Sequence, residues 1–303
     1  MHILLIHQYF LENDDFGGSR FNEMTKVWIE QGHKVTVIAG MMHANGSEKR
    51  GEYKGKFIVE KKQGLVRVIR CHVSEGYNKN FVGRAFGYLS FMISCLYAGL
   101  FRAKDRYDAV LVTSPPLFIG LSGVLIAKRK KVPLVFEIRD LWPESAIDSG
   151  ILTNNFLISL AYWAEKYIYK KATIISVLTP AFRDQLVDYK NIESEKIIYV
   201  PNACDFSLSD KILANYTKAE LKKQMGWEGK KVFTYVGAHG IANHLSQVLD
   251  AMEQVKDERI LFNLIGSGME KKKLQKLAAE KKISNVVFID AVPKEEVFKY
   301  IVA

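Results

Sequence analysis

Short β-branched, apolar runs alternate with amphipathic stretches from the first residue of the chain to the last. That alternation predicts an α/β, doubly wound architecture: a parallel sheet covered by helices on both faces. Strands are expected at Ile3–His7, Lys34–Ile38, Val66–Arg70, Ala109–Thr113, Leu134–Ile138, Thr173–Val177 and Ile197–Val200. Helices are expected between them, at Arg20–Gln31, Ala85–Ala103, Phe118–Lys130, Asn155–Lys170 and Ala181–Tyr189. These elements make one complete domain over residues 1–204.

After Pro201 the alternation lapses, through Asp205, Ser207, Ser209 and a lysine-rich helix that ends at Gly226, which places a linker at 205–230. A second Rossmann-type unit follows over 231–303, with strands Val232–Gly237, Ile260–Ile265 and Val286–Ile289. Its helices are Leu245–Val255, Glu270–Glu280 and one beginning near Lys294. Three strands are about half of a dinucleotide-type sheet. The second domain therefore reads as truncated, with one face of its third strand short of cover.

A hydrophobic fraction of 48% over 303 residues is enough for two packed cores. Lys plus Arg number 43 against 33 Asp plus Glu, a net charge of +10 that favours nucleic acid, a phosphate-bearing substrate or an acidic membrane surface as partner. Cys71, Cys95 and Cys204 form no C-x-x-C pair, so the chain fits a reducing cytoplasm. The N-terminus enters a strand at once and carries no leader pattern. Ala85–Phe101 is uncharged and bracketed by Arg84 and Arg102, but glycines and serines interrupt it, and it reads as a buried helix rather than a membrane span.

Glycine-rich turns carry the first chemical signal. Gly17-Gly18-Ser19 lies between the first strand and the first helix, where backbone amides and the helix dipole suit a phosphate. Gly237-Ala238-His239-Gly240 and Gly266-Ser267-Gly268 follow the first two strands of the second unit in the same way, although Gly268 also suits tight strand-to-helix packing. None matches G-x-x-x-x-G-K-[ST], and the first loop is not G-x-G-x-x-G, so kinase-like and ordinary NAD chemistry lose ground. No H-E-x-x-H or acidic cluster suggests a metal held by the protein.

Glu137-Ile138-Arg139-Asp140-Leu141-Trp142-Pro143-Glu144 leaves a strand with acids and an arginine at its carboxyl end. Asp140 and Glu144 are the candidate proton acceptors, against the simpler reading of an Arg–Asp pair that fixes the loop. Thr113-Ser114-Pro115-Pro116 ends another strand toward the same crevice. His7 and His239 are candidates for ligand contact, and His33 for a structural turn.

Taken in order, Gly17-Gly18, Gly32-His33-Lys34-Val35-Thr36-Val37, Ser114-Pro115-Pro116, Arg139 to Glu144, Val200-Pro201-Asn202, Tyr235-Val236-Gly237, Gly266-x-Gly268 and Asn285 to Phe288 span the chain. Together they resemble the retaining glycosyltransferases of family 4, of GT-B fold, and within them the amino-sugar transferases of O-antigen and capsule assembly. The resemblance implies two Rossmann-like domains, the second one truncated here. It implies no cofactor, a UDP-sugar donor, and a polyprenyl-diphosphate-linked saccharide as acceptor. Gly17 and Gly18 would face the donor diphosphate, and Gly237, His239, Gly240, Asn243, Gly266 and Gly268 would line the nucleotide pocket. Asp140 and Glu144 would serve the acceptor, in a front-side attack where orientation and charge stabilisation supply most of the catalysis.

Three departures stand out. Many relatives carry histidine where Thr113 stands and an Arg and Lys pair where Ala238 and Asn243 stand, and their E-x7-E segment would fall beyond Ala303. The chain as given is therefore expected to be inactive alone. The basic balance fits a cytoplasmic protein in peripheral contact with the inner face of the plasma membrane, through Tyr77–Tyr97 with Phe81, Arg84, Phe86 and Tyr88. Two other readings stay open: a GT-B epimerase acting on a UDP-amino sugar, and a non-catalytic nucleic-acid-binding protein. The second has only Lys128-Arg129-Lys130-Lys131 and Lys271-Lys272-Lys273 as footprint, without an aromatic platform, so no nucleic-acid partner is expected.

Overall fold

The computed structural model describes residues 1–12, 15, 20–42, 50–74, 81–203 and 206–303. The chain divides into two units, with the boundary after Ala203. The first unit contains, in order, β1 (His2–Ile6), α1 (Arg20–Glu30), β2 (Lys34–Gly40), β3 (Ile58–Gln63), β4 (Val66–Cys71), α2 (Phe81–Tyr97) and β5 (Ala109–Ser114). It continues with α3 (Ile119–Lys130), β6 (Leu134–Ile138), α4 (Glu144–Asp148), α5 (Asn155–Lys171), β7 (Ile174–Val177), α6 (Pro180–Lys190) and β8 (Ile197–Tyr199). The second holds α7 (Ser207–Asn215), α8 (Lys218–Gln224), β9 (Lys231–Val236), α9 (Ser246–Gln254), β10 (Ile260–Ile265), α10 (Lys271–Glu280), β11 (Val286–Ile289) and α11 (Lys294–Val302).

The eight strands of the first unit run in the order β3-β4-β2-β1-β5-β6-β7-β8. All pair parallel except β3, which pairs antiparallel with β4. From β4 to β7 this is the order of a dinucleotide-binding sheet, and its direction of winding reverses between β1 and β5. Alternate residues of β1 enter opposite cores. Leu4 and Ile6 pack with Phe91, Ile126 and Ile168 of α2, α3 and α5, whereas Leu5 packs with Phe21 of α1.

Sequence pattern misses β3, because Ile-Val-Glu-Lys-Lys-Gln has the charge of a solvated edge strand rather than the apolar run of a central one. The segment around α2 differs from expectation too. It is helical and continues through a π-helical turn at Ala98–Arg102, but only one face is buried, with Phe91 and Cys95 in the core and Phe86, Leu89, Ile93 and Tyr97 exposed. No helix among the described residues is long and apolar enough to cross a membrane.

The second unit has a three-stranded parallel sheet in the order β11-β10-β9. Leu249 and Leu274 of α9 and α10 cover one face with Leu264. On the other, Ile212, Leu221 and Trp227 pack with Phe298 of α11. The residues read as a linker thus carry α7 and α8, the latter started by a capping box in which Thr217 and Glu220 bond each other's backbone.

Candidate functional site

In an open parallel sheet, ligands bind beyond the carboxyl ends of the strands where the winding reverses, here between β1 and β5. Two side chains meet there: His7, the residue after β1, places Nδ1 2.9 Å from Oγ1 of Thr113 in β5. Both are buried. Burial, aided by the charges of Arg139 and Arg70, pushes the His7 imidazole down to about 3, so it is neutral and has one donor and one acceptor nitrogen to offer. Sequence reading singled out both residues without pairing them. His7 thus brings an imidazole from the neighbouring strand to the Thr113 position.

Around this pair the strand ends carry buried polar atoms with no hydrogen-bond partner among the described residues. They are Ser114 Oγ, both side-chain polar atoms of Gln8, Glu137 Oε1 and Arg139 Nε. Each such atom costs about 1–3 kcal/mol unless something satisfies it, so their concentration at one edge marks a place built to receive polar groups. Burial raises the Glu137 carboxyl against the opposing pull of Arg20 and Arg139. Burial likewise lowers the Arg139 guanidinium.

Asp140 and Glu144 separate into different settings. Asp140 is half-buried and accepts a 2.8 Å hydrogen bond from Ser145 Oγ, which fixes one carboxylate oxygen. Glu144, the first residue of α4, is ion-paired with Lys190 of α6, and Lys190 in turn lies 2.9 Å from Glu165 of α5. Glu144 thus shares one cation with Glu165 in a network that ties three helices together. Asp140 is the better placed of the two for a ligand hydroxyl.

Gly17 and Gly18 lie outside the described residues, but both ends of their loop are anchored. On one side Glu12 is buried against Arg70 of β4 at 3.0 Å and Lys61 of β3 at 2.7 Å, and the Tyr53 hydroxyl donates to it at 2.5 Å. Burial raises this carboxyl, and Arg70, Lys61 and Tyr53 outweigh the effect, so it sits below the usual carboxylate range. On the other side Arg20 opens α1, contacts Glu137 at 3.3 Å, and donates to the carbonyls of Pro201 and Val200 at 2.7 and 3.0 Å. Sequence reading missed both anchors. A signal for Arg20 existed, because a cation at a helix N-terminus opposes the dipole and needs an acceptor elsewhere.

In the second unit, the turns after β9 and β10 come together. The His239 amide donates to the Ser267 carbonyl at 2.9 Å, and that of Glu270 to the His239 carbonyl at 3.0 Å. Gly266 and Gly268, at φ +143° and +157°, make this possible, since a Cβ on either would collide with the backbone of Gly237 or His239. Gly268 thus packs turn against turn, not strand against helix as expected. His239 is fully buried between the rings of Tyr235 and Phe288, 6.2 and 6.4 Å away, and neither ring nitrogen has a hydrogen-bond partner among the described residues. Burial, with the nearby charge of Lys271, lowers its pKa and keeps it neutral. The joined turns leave Ala238, Asn243, Ser267 and the backbone of Gly268 exposed, beside the apolar Ile241 and Met269. Asn243 Nδ2 donates to the Ala238 carbonyl at 2.6 Å and to the Tyr235 hydroxyl at 2.5 Å, holding the rim closed.

The chain is similar to known proteins in sequence and fold. WcaI of Escherichia coli (strain K12), named for a glycosyl transferase role in colanic acid biosynthesis, is 22% identical over 285 residues, which is 91% of this chain and 69% of that protein. WbjE of Pseudomonas aeruginosa, described as a probable glycosyltransferase, is 24% identical over 63% of this chain and 47% of its own length. Anabaena HepE in complex with UDP-glucose superposes with a TM-score of 0.64 at 14% identity, covering 99% of this chain and 71% of that one. UDP-GlcNAc 2-epimerase from Neisseria meningitidis bound to UDP-GlcNAc has a TM-score of 0.55 at 14% identity, over 99% and 75% of the two chains. The model of the glycosyl transferase 4-like domain matches residues 17–203 and that of the glycosyl transferases group 1 matches 217–302. With both halves of its sequence so matched, the chain belongs to the family 4 glycosyltransferases of GT-B fold.

Proposed function

We propose that this glycosyltransferase moves a sugar, an N-acetylated amino sugar, from a UDP-sugar to a lipid-linked saccharide in the assembly of a surface polysaccharide of the O-antigen or capsule kind. The observation that carries the reading is the set of unpartnered polar atoms at the ends of β1, β5 and β6, in a family whose members transfer sugars. Neutral His7, Ser114, Gln8 and Asp140 offer donors and acceptors of the kind that sugar hydroxyls require. Exposed Ala238, Asn243, Ser267 and the backbone of Gly268 at the joined turns offer backbone and small side chains to a diphosphate. UDP in complex with the HepE fold, and the colanic acid role in WcaI's name, support the donor class and the pathway type.

A second reading, a UDP-amino-sugar epimerase, draws on the shared fold of the Neisseria enzyme and needs no acceptor. Incubating the protein with UDP-GlcNAc, with and without a polyprenyl-diphosphate saccharide, separates the two. Acceptor-dependent release of UDP supports transfer and counts against the alternative, whereas an epimerised nucleotide sugar formed without acceptor supports the alternative and counts against transfer.

A further inference from the structure

Helices α2, α3 and α5 lie on one face of the first unit's sheet, and their outer surface is unlike the rest of the molecule. Among the residues of these three helices there is a single carboxylate, Glu165, and it is buried in the ion pair with Lys190. The chain as a whole carries 33 Asp and Glu, so an acid-free surface of this size is a strong local departure. Along α2 the exposed residues Phe86, Leu89, Ile93 and Tyr97 recur at helical spacing and form one stripe, continued by Phe101. On α5 a second stripe is formed by Phe156, 74% exposed, with Leu160 and Trp163, the latter 56% exposed. Leu125 of α3 is exposed between them. Solitary apolar residues on a surface are unremarkable, but two parallel stripes rich in aromatics are not.

Charge frames this surface. Lys128 and Arg129 close α3 and Lys166, Lys170 and Lys171 lie toward the end of α5, all exposed. Carboxylates reappear at the margins: Glu60 of β3 is held between Arg67 and Arg102, Asp105 faces Arg67, Glu144 pairs with Lys190 beside Tyr162, and α6 brings Asp184 and Asp188. An apolar, aromatic-bearing face flanked by exposed cations on α3 and α5 complements an anionic lipid surface, where the aromatics enter the headgroup region and each cation near the surface adds about 1 kcal/mol. A second copy of the chain would bring the same cations against themselves, which argues against a self-complementary dimer through this face.

We infer that the outer face of α2, α3 and α5 docks on an anionic bilayer. The contact is broader than the Tyr77–Tyr97 segment expected from sequence, and its strongest aromatic anchor, Trp163, lies on a helix that sequence reading assigned no surface role. Nothing in this inference depends on the sugar or on the transfer reaction.

The test uses the purified chain and vesicles of phosphatidylcholine alone or with phosphatidylglycerol, free of saccharide. Retention on the anionic vesicles at low salt is expected to exceed that on neutral ones by tenfold or more. Trp163 emission should shift to the blue and be quenched by brominated lipid, and Trp163→Phe should abolish that change. Ile93→Glu with Trp163→Glu should cut retention at least tenfold while far-UV circular dichroism and the thermal midpoint stay unchanged. Should that double variant fail to fold, Lys128→Gln with Arg129→Gln and Lys170→Gln, all exposed, must still lower retention several-fold. No preference for anionic vesicles, or a Trp163 signal that ignores them, overturns the inference. So does sedimentation showing a dimer that the Ile93 and Trp163 substitutions dissociate, which would assign the face to a second copy.

Discussion

The neutral state of His7 has a thermodynamic consequence. Its imidazole titrates near 3 in the folded protein and near 6.5 when unfolded, because burial and two arginines disfavour the cation. Above pH 6.5 neither state holds the proton and the residue contributes no pH dependence. As pH falls from 6.5 toward 3, the unfolded chain gains a proton that the folded one does not, and stability drops by up to about 1.4 kcal/mol per pH unit. His7→Gln keeps a hydrogen-bonding side chain beside Thr113 but cannot titrate. Urea midpoints measured between pH 7 and pH 4, chosen as about the accessible part of that window, should decline less steeply in this variant than in the parent. An equal slope would mean that another group governs the acid limb. Thr113→Val should cost about 1–3 kcal/mol at neutral pH by leaving Nδ1 unpartnered. Residue types were legible in the sequence here and partnerships were not. Nothing local says that His7 and Thr113, 106 positions apart, meet across neighbouring strands, or that Glu144 pairs with Lys190 while Asp140 accepts from Ser145.

Among elements, the joined turns of the second unit are the most sharply specified. Gly268 abuts the His239 backbone, with the carbonyl carbon 2.6 Å from where a Cβ would sit, and its φ of +157° penalises any side chain. Gly240, in the same rim, has nothing within 4 Å of its Cβ position and no positive φ. Gly268→Ala is therefore expected to destabilise the protein by about 1–3 kcal/mol, read from chemical denaturation, whereas Gly240→Ala should stay within about 0.5 kcal/mol. Equal effects at the two positions would show that the turns are not locked as described. The periodicity of the sequence placed every central strand and its helices, since buried parallel strands are nearly continuous apolar runs. It failed where that signal is diluted, at edge strand β3 with its charged Glu60-Lys61-Lys62 and at the short helix α4. Both glycine motifs were found from sequence, but their contact was not, because it depends on β9 and β10 being neighbours in the sheet.

At the level of the whole chain, the two units have separate cores, and the sequence between them turns out to belong to one side. Low hydrophobicity and a run of lysines make 205–230 look like a solvated connector. Yet Ile212 and Leu221 face inward at one residue per turn or so, and with Trp227 they cover Phe298 and the underside of β9 through Val232. A few well-placed apolar residues outweigh a polar average, which is why composition misled where helical phase would not. Burying each of these side chains stabilises by about 1.5–3 kcal/mol, so losing all three would cost an amount comparable to a whole domain's net stability of about 5–15 kcal/mol. A fragment of residues 206–303 should then unfold cooperatively in urea. One beginning at Lys231 should lose that cooperativity and bind a hydrophobic dye, because Phe298, Val232 and Leu261 would be left uncovered. If the shorter fragment instead melted with the midpoint of the longer one, α7 and α8 would be ornament on a self-sufficient sheet, and the boundary of the second unit would move from residue 206 to 231.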